Sequence, residues 1–152
     1  MAKKLIYECM TDFIEFISTE FKKRNWRLTA GVRNVTHILA ETNIPLSVHD
    51  LRKLLQSQDR DIDPTTIYRI FDKLKAIEVL HEIHGRFIKC SDPENKEDED
   101  HFLICDECGE AEEIFLDYFE AIASQLKAEK GFELEEADLS FVGVCRYCQE
   151  KE

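Results

Sequence analysis

The chain has 152 residues, enough for one domain or two small ones with modest cores. Hydrophobic residues make up 43%, too many for a disordered polymer, and no apolar run approaches the roughly 20 residues of a membrane span. The net charge of −12 argues against a nucleic-acid partner until it is divided along the chain. Residues 1–90 hold 15 Lys/Arg against 12 Asp/Glu, a net of +3, whereas residues 91–152 hold 5 against 20, a net of −15. Two parts with different tasks are implied, and only the first is suited to approach DNA. The basic start, Met-Ala-Lys-Lys, has the look of a secretion signal, but Glu8, Asp12 and Glu15 interrupt any apolar stretch behind it. A cytoplasmic protein is expected.

Over residues 5–24, Leu5, Cys9, Phe13, Ile17 and Phe21 recur at a four-residue step, predicting an amphipathic helix with Cys9 in its apolar stripe. A second helix is predicted from Thr29 to about Thr42, burying Val32, Val35, Ile38 and Leu39. A third begins at Ser47, with Asp50 placed as the acidic partner of a capping box and Leu51, Leu54 and Leu55 inward. The fourth has the clearest start, Asp63-Pro64-Thr65-Thr66, with Asp63 able to cap and Pro64 where its missing N–H costs nothing. Ile67, Ile70, Phe71 and Leu74 share one face there, leaving Tyr68, Arg69, Asp72 and Lys73 for a partner.

Two β-rich segments follow, 79–84 and 86–90, hinged on Gly85 as a hairpin. Three helices and a hairpin make a winged helix-turn-helix, so residues 1–90 are expected to form that domain. Residues 91–101 are an acidic linker. Beyond it come strands at 102–104 and 111–115, a helix at 116–130 ended by Gly131, and a strand at 138–143. The fold class is therefore α+β, with a small second domain over 102–152.

Two Cys-x-x-Cys pairs, Cys105/Cys108 and Cys145/Cys148, have 36 residues between them. Together they complete the tetrahedral sulfur cage that Zn²⁺ favours in closed structural sites, and the alternative is two disulfides. No coordination position would stay open for catalysis. A zinc hydrolase needs such a position and a poised base, so no enzyme is expected. The remaining candidate ligands, His81, His84, Cys90, His101, Glu112 and Glu113, surround the linker and come from both domains, so one ion held by them would fix the domains' orientation. His81 and His84 are three apart on a predicted strand and face opposite sides.

Together these residues resemble the ferric uptake regulator family of metal-dependent repressors. The resemblance rests on Arg24-Asn-Trp-Arg-Leu-Thr29 with Arg33, on Thr65-Thr-Ile-Tyr-Arg69, on His101-Phe-Leu-Ile-Cys-Asp-Glu-Cys-Gly109 and on Gly143-Val-Cys-Arg-Tyr-Cys148. It runs in order from about residue 20 to 148. It implies an N-terminal winged helix, a C-terminal dimerisation domain holding the four-cysteine zinc, and a regulatory metal. Similarity to zinc-sensing members implies His81, Cys90, His101 and Glu113 as the regulatory ligands, hence two zinc ions per chain. Cysteine in that set suits Zn²⁺, whereas iron sensors more often place oxygen there. In the family the position of Arg69 contacts the operator, and His49 stands where zinc sensors often carry a tyrosine that does so; Tyr68, Thr66, Arg33 and Arg27 are the further candidate DNA contacts. Lys22, Lys23 and Arg24 are further phosphate candidates. The expected activity is zinc-responsive repression of a palindromic operator by a homodimer, with zinc as corepressor. An iron or peroxide sensor of the same family is the nearer alternative. A zinc-stapled protein-interaction module without DNA binding is the more distant one.

Overall fold

The structure is a computed structural model describing residues 2–93, 101–114, 119–135 and 139–151, with side chains described from residue 12 onward apart from Phe119. It divides into two compact units, Met1–Glu94 and Asn95–Glu152. Most of the predicted linker, residues 94–100, lies outside the described residues, as do 115–118 and 136–138.

The first unit opens with α1 (Ala2–Lys23), which buries Phe13, Ile17 and Phe21 at the predicted four-residue step. The apolar positions before residue 12, Cys9 among them, lie outside the described side chains. Next, α2 (Ala30–Glu41) is capped by Thr29, whose hydroxyl accepts from the N–H of Val32. It buries Val32, Val35, Ile38 and Leu39.

A full capping box starts α3 (Val48–Ser57): the Asp50 N–H donates to the Ser47 hydroxyl, and the Ser47 N–H donates to the Asp50 carboxylate. Leu51 and Leu55 are fully buried, one helical turn apart. Leu54, expected inward, is 41% exposed. One residue back from Leu55 lies about 100° around the helix, which carries Leu54 off the buried face.

Pro64 occupies the first position of α4 (Pro64–Ala76), and the Asp63 carboxylate accepts the N–H of Thr66 at 3.0 Å. The buried face is Ile67, Ile70, Phe71 and Leu74. Phe71 reaches across to Phe87 with ring centroids 4.4 Å apart, joining helix and hairpin in one core. Truncating a fully buried aromatic removes its transfer energy and leaves a cavity. Phe71→Ala is therefore expected to destabilise the first unit by about 3–5 kcal/mol in chemical denaturation.

The hairpin pairs β1 (Leu80–Ile83) with β2 (Arg86–Lys89) in antiparallel register. His84 and Gly85 form its two-residue turn at φ +49° and +74°, the pair of positive values that a type I′ turn requires. His84 is thus an exposed turn residue rather than part of a strand. Leu46 bridges Phe87 on the outer edge of β2, through two backbone bonds of 2.9 Å, so the wing is tied to the loop before α3.

The second unit is a three-stranded sheet of order β4-β3-β5, with β3 (His101–Cys105) central. It pairs antiparallel with β4 (Ala111–Ile114) and parallel with β5 (Ser140–Gly143). The parallel pair needs a crossover, and α5 (Phe119–Lys130) lies in that connection, ending at Gly131 with φ +63°. A short α6 (Arg146–Gln149) closes the unit. No helix among the described residues is long and apolar enough to cross a membrane.

Candidate metal centre

The four-cysteine site is assembled by strand register. Cys105 ends β3 opposite Gly143 of parallel β5, so the chain leaves both strands at the same edge and makes a cysteine turn from each. In the first turn the Gly109 N–H bonds the Cys105 carbonyl at 2.9 Å, with Gly109 at φ +76°. In the second, Cys145 occupies the position just before α6 and Cys148 lies inside it. This four-residue helix was not foreseen; the signal for it was the pair's spacing, which places both sulfurs on one side of a single turn.

All four sulfurs lie within 4.8 Å of one another. The Sγ atoms of Cys108 and Cys145 are 3.8 Å apart, which is the edge length of a tetrahedron whose centre lies about 2.3 Å from each sulfur. A disulfide would bring them to about 2.05 Å. All five described cysteines, these four and Cys90, are free thiols.

The sulfurs differ in readiness to ionise. Backbone N–H groups of Cys108 and Cys145 aimed at its sulfur hold the Cys105 thiol down at about 6, the Cys145 N–H from 3.3 Å. Burial, then the neighbouring sulfurs, push Cys148 up to about 12. Four converging sulfurs therefore resist carrying four negative charges by themselves, and a divalent cation is what such a donor set accommodates.

The other candidate ligands are described within each unit. On the hairpin, His81 pairs with Ile88, and the Cys90 N–H extends the ladder to the Val79 carbonyl at 2.9 Å. His81 and Cys90 are thus diagonal neighbours on one face, and a ring nitrogen of His81 lies within 4.8 Å of the Cys90 sulfur. Cys90 is buried and His81 half-buried, whereas His84 is carried away by the turn.

In the second unit His101 opens β3, 1% exposed. Its register partner is Ile114, while Glu113 sits opposite Phe102. Because side chains alternate across a strand, this register sets His101 and Glu113 on opposite faces of the sheet. Glu113 is half-buried and Glu112 exposed.

Among the predicted DNA contacts, Tyr68 and Arg69 are exposed on α4, the tyrosine by 53%. His49 is exposed in the first turn of α3, and Arg27 and Arg33 are exposed before and within α2. Thr66 is committed to the helix cap: its hydroxyl donates to Asp63 at 2.6 Å.

Comparison with known proteins places this architecture. The family model described as the Ferric uptake regulator family matches residues 23–142. The Ferric uptake regulation protein of Bacillus subtilis (strain 168) is 28% identical over 148 residues, covering 94% of this chain and 99% of that protein. Among solved structures, a zinc uptake regulator complexed with zinc and DNA superposes with a TM-score of 0.78 at 25% identity, covering 93% of this chain and 96% of that one. The holo form of XcZur gives 0.68 at 27% identity, covering 90% and 98%. With the family's pattern spanning both units, this chain belongs to the ferric uptake regulator family and is a transcription regulator rather than an enzyme.

Proposed function

We propose that the chain is a cytoplasmic, zinc-responsive repressor that binds a palindromic operator as a homodimer. Residues 1–90 are the DNA-binding domain, 91–101 the hinge and 102–152 the dimerisation domain. One zinc on Cys105, Cys108, Cys145 and Cys148 is structural. A second, exchangeable zinc on His81, Cys90, His101 and Glu113 is the corepressor, making two per chain.

The observation that carries the zinc reading is the Cys90 thiol beside the His81 imidazole on one hairpin face. Thiolate and imidazole are soft and borderline donors that suit Zn²⁺ better than Fe²⁺. The likeness to a regulator solved with both zinc and DNA supports the same choice. Of the four assigned ligands, His101 and Glu113 are set on opposite faces of the sheet by their register. Substituting His101 and Glu113 separately tests each assignment.

Homodimerisation is supported by the apolar side chains that the second unit leaves exposed, among them Leu103, Phe141, Val142 and Tyr147. Self-association would cover such a surface. DNA reading is assigned to α4, with Arg69 on a guanine edge and Tyr68 beside it, while Arg27, Arg33 and His49 meet the backbone or neighbouring bases. Arg69→Ala is expected to cost about 1–3 kcal/mol of operator affinity and to relax specificity at one base position, measured by titrating variant duplexes.

An iron sensor of the same family is the second reading, favoured by the ferric uptake regulation proteins among the curated relatives. One experiment separates them: metal content before and after mild chelation, then DNA binding with Zn²⁺, Fe²⁺ or Mn²⁺ restored. One inert and one exchangeable zinc per chain, with binding recovered by zinc alone, upholds the proposal. Recovery by iron or manganese instead overturns the choice of metal and keeps the family. A zinc-loaded protein that holds a single half-site as tightly as the palindrome overturns the paired-domain geometry.

A further inference from the structure

Asp50 sits where a carboxylate is unwelcome to a DNA-binding surface: in the first turn of α3, directly after His49, on the unit assigned to a polyanion. The capping box explains one of its oxygens, Oδ2, which accepts from both the N–H and the hydroxyl of Ser47, but the same oxygen takes a third donor. Arg86, the first residue of β2, donates to Asp50 Oδ2 at 3.0 Å and to the Pro45 carbonyl at 3.2 Å. One guanidinium thus ties the wing to the loop and to the helix start, 36 and 41 residues away in sequence. The Leu46–Phe87 bridge runs alongside, so Arg86 closes a connection that the backbone begins.

We infer that Arg86 and Asp50 form a positioning pair that presents the wing and the start of α3 to DNA as one surface. The inference rests on the DNA-binding reading above. Arg86 at this site has a competing role, a direct phosphate contact, and Asp50 makes the two roles separable by sign. Electrostatics alone says that Asp50→Asn removes a negative charge near DNA and frees an arginine, so it should tighten binding. A positioning pair says the opposite, because the wing loses its register against α3.

The magnitude is bounded by exposure. The Arg86 side chain is 54% exposed and Asp50 36%, so solvent screens the pair, and a three- to fivefold effect is the expected scale.

The test uses the full zinc-loaded chain and a palindromic duplex selected from a random pool. Asp50→Asn and Arg86→Met are each expected to weaken binding three- to fivefold, and the double variant no further than either single one. Ser47→Ala removes the hydroxyl that accepts the Asp50 N–H and donates to Asp50 Oδ2 at 2.7 Å, keeps the carboxylate and the arginine that bind each other, and is expected to stay within twofold. Amide exchange in the hairpin, read without DNA, is expected to quicken in Asp50→Asn and not in Ser47→Ala. Tighter binding by Asp50→Asn, or additive losses in the double variant, overturns the pair while the DNA reading stands. A wild-type chain that selects no duplex from the pool overturns the DNA reading and the pair with it, whatever the exchange shows.

Discussion

Replacing the Cys90 thiol by a hydroxyl is expected to abolish zinc-dependent DNA binding, lowering affinity for a palindromic duplex at least about 100-fold, to that of the chelated protein. The substitution is nearly isosteric, and Cys90 holds its place by a backbone bond to Val79 that serine retains. What changes is the donor. A serine hydroxyl does not ionise at neutral pH and is a poor ligand for Zn²⁺, so a four-ligand site loses its softest member. The large effect follows from how a corepressor acts. Metal shifts the chain toward a DNA-competent state only by binding that state better, and moving a population from 1:99 to 99:1 takes a preference of about 10⁴. A ligand deletion that removed only half of that preference on a logarithmic scale would leave about half the molecules incompetent; losing nearly all of it returns about 99% of them, which is the roughly 100-fold loss expected. Sedimentation should still report a dimer, because the dimerisation domain is assigned to residues 102–152. Loss of the dimer in Cys90→Ser would make Cys90 structural; undiminished response to zinc would remove it from the regulatory site.

The helical half of the fold was legible because its boundaries are written in side-chain chemistry. Ser47 with Asp50, and Asp63 with Thr66, place helix starts through hydrogen bonds made within four residues, which need no tertiary context. The buried faces of α2 and α4 followed from a 3.6-residue period long enough to average over errors. Leu54 was misplaced because a ten-residue helix gives that average little to work with, and its neighbours Leu51 and Leu55 already fill the inward face.

The metal centre divides the same way. Two cysteine pairs name their own ligands, but the parallel pairing that brings them together is a contact between distant strands. The pairing of His101 with Ile114 rather than Glu113 is likewise a matter of register, which a one-residue slip reverses and which no local signal encodes. The Arg86–Asp50 pair was invisible for the same reason: each residue was already accounted for, one as a hairpin start and the other as a cap.

Losing the ion of the four-cysteine site is expected to unfold the second unit and with it the dimer. In that unit the described residues buried from solvent are His101, Phe102, Cys105, Ala111 and Cys148, and two of these five are cysteines of the site. The first unit, by contrast, packs buried side chains from α1, α2, α3, α4 and the hairpin into one cluster. A small sheet with so little apolar burial does not offset the entropy of ordering its chain, and staples of this kind supply the difference. Structural zinc sites bind with roughly 10–16 kcal/mol, comparable to or larger than the roughly 5–15 kcal/mol that holds a whole domain folded. Cys105→Ser and Cys148→Ser test this in the intact chain. Heating the wild type should give two transitions, one for each unit, and each variant should keep the first and lose the second. Zinc content should fall by one per chain and sedimentation should report a monomer. Prolonged treatment with a strong chelator should reproduce the variants. A Cys148→Ser chain that keeps both transitions and its dimer would show that the sheet and its partner surface suffice, and the four sulfurs would then need another reason to converge.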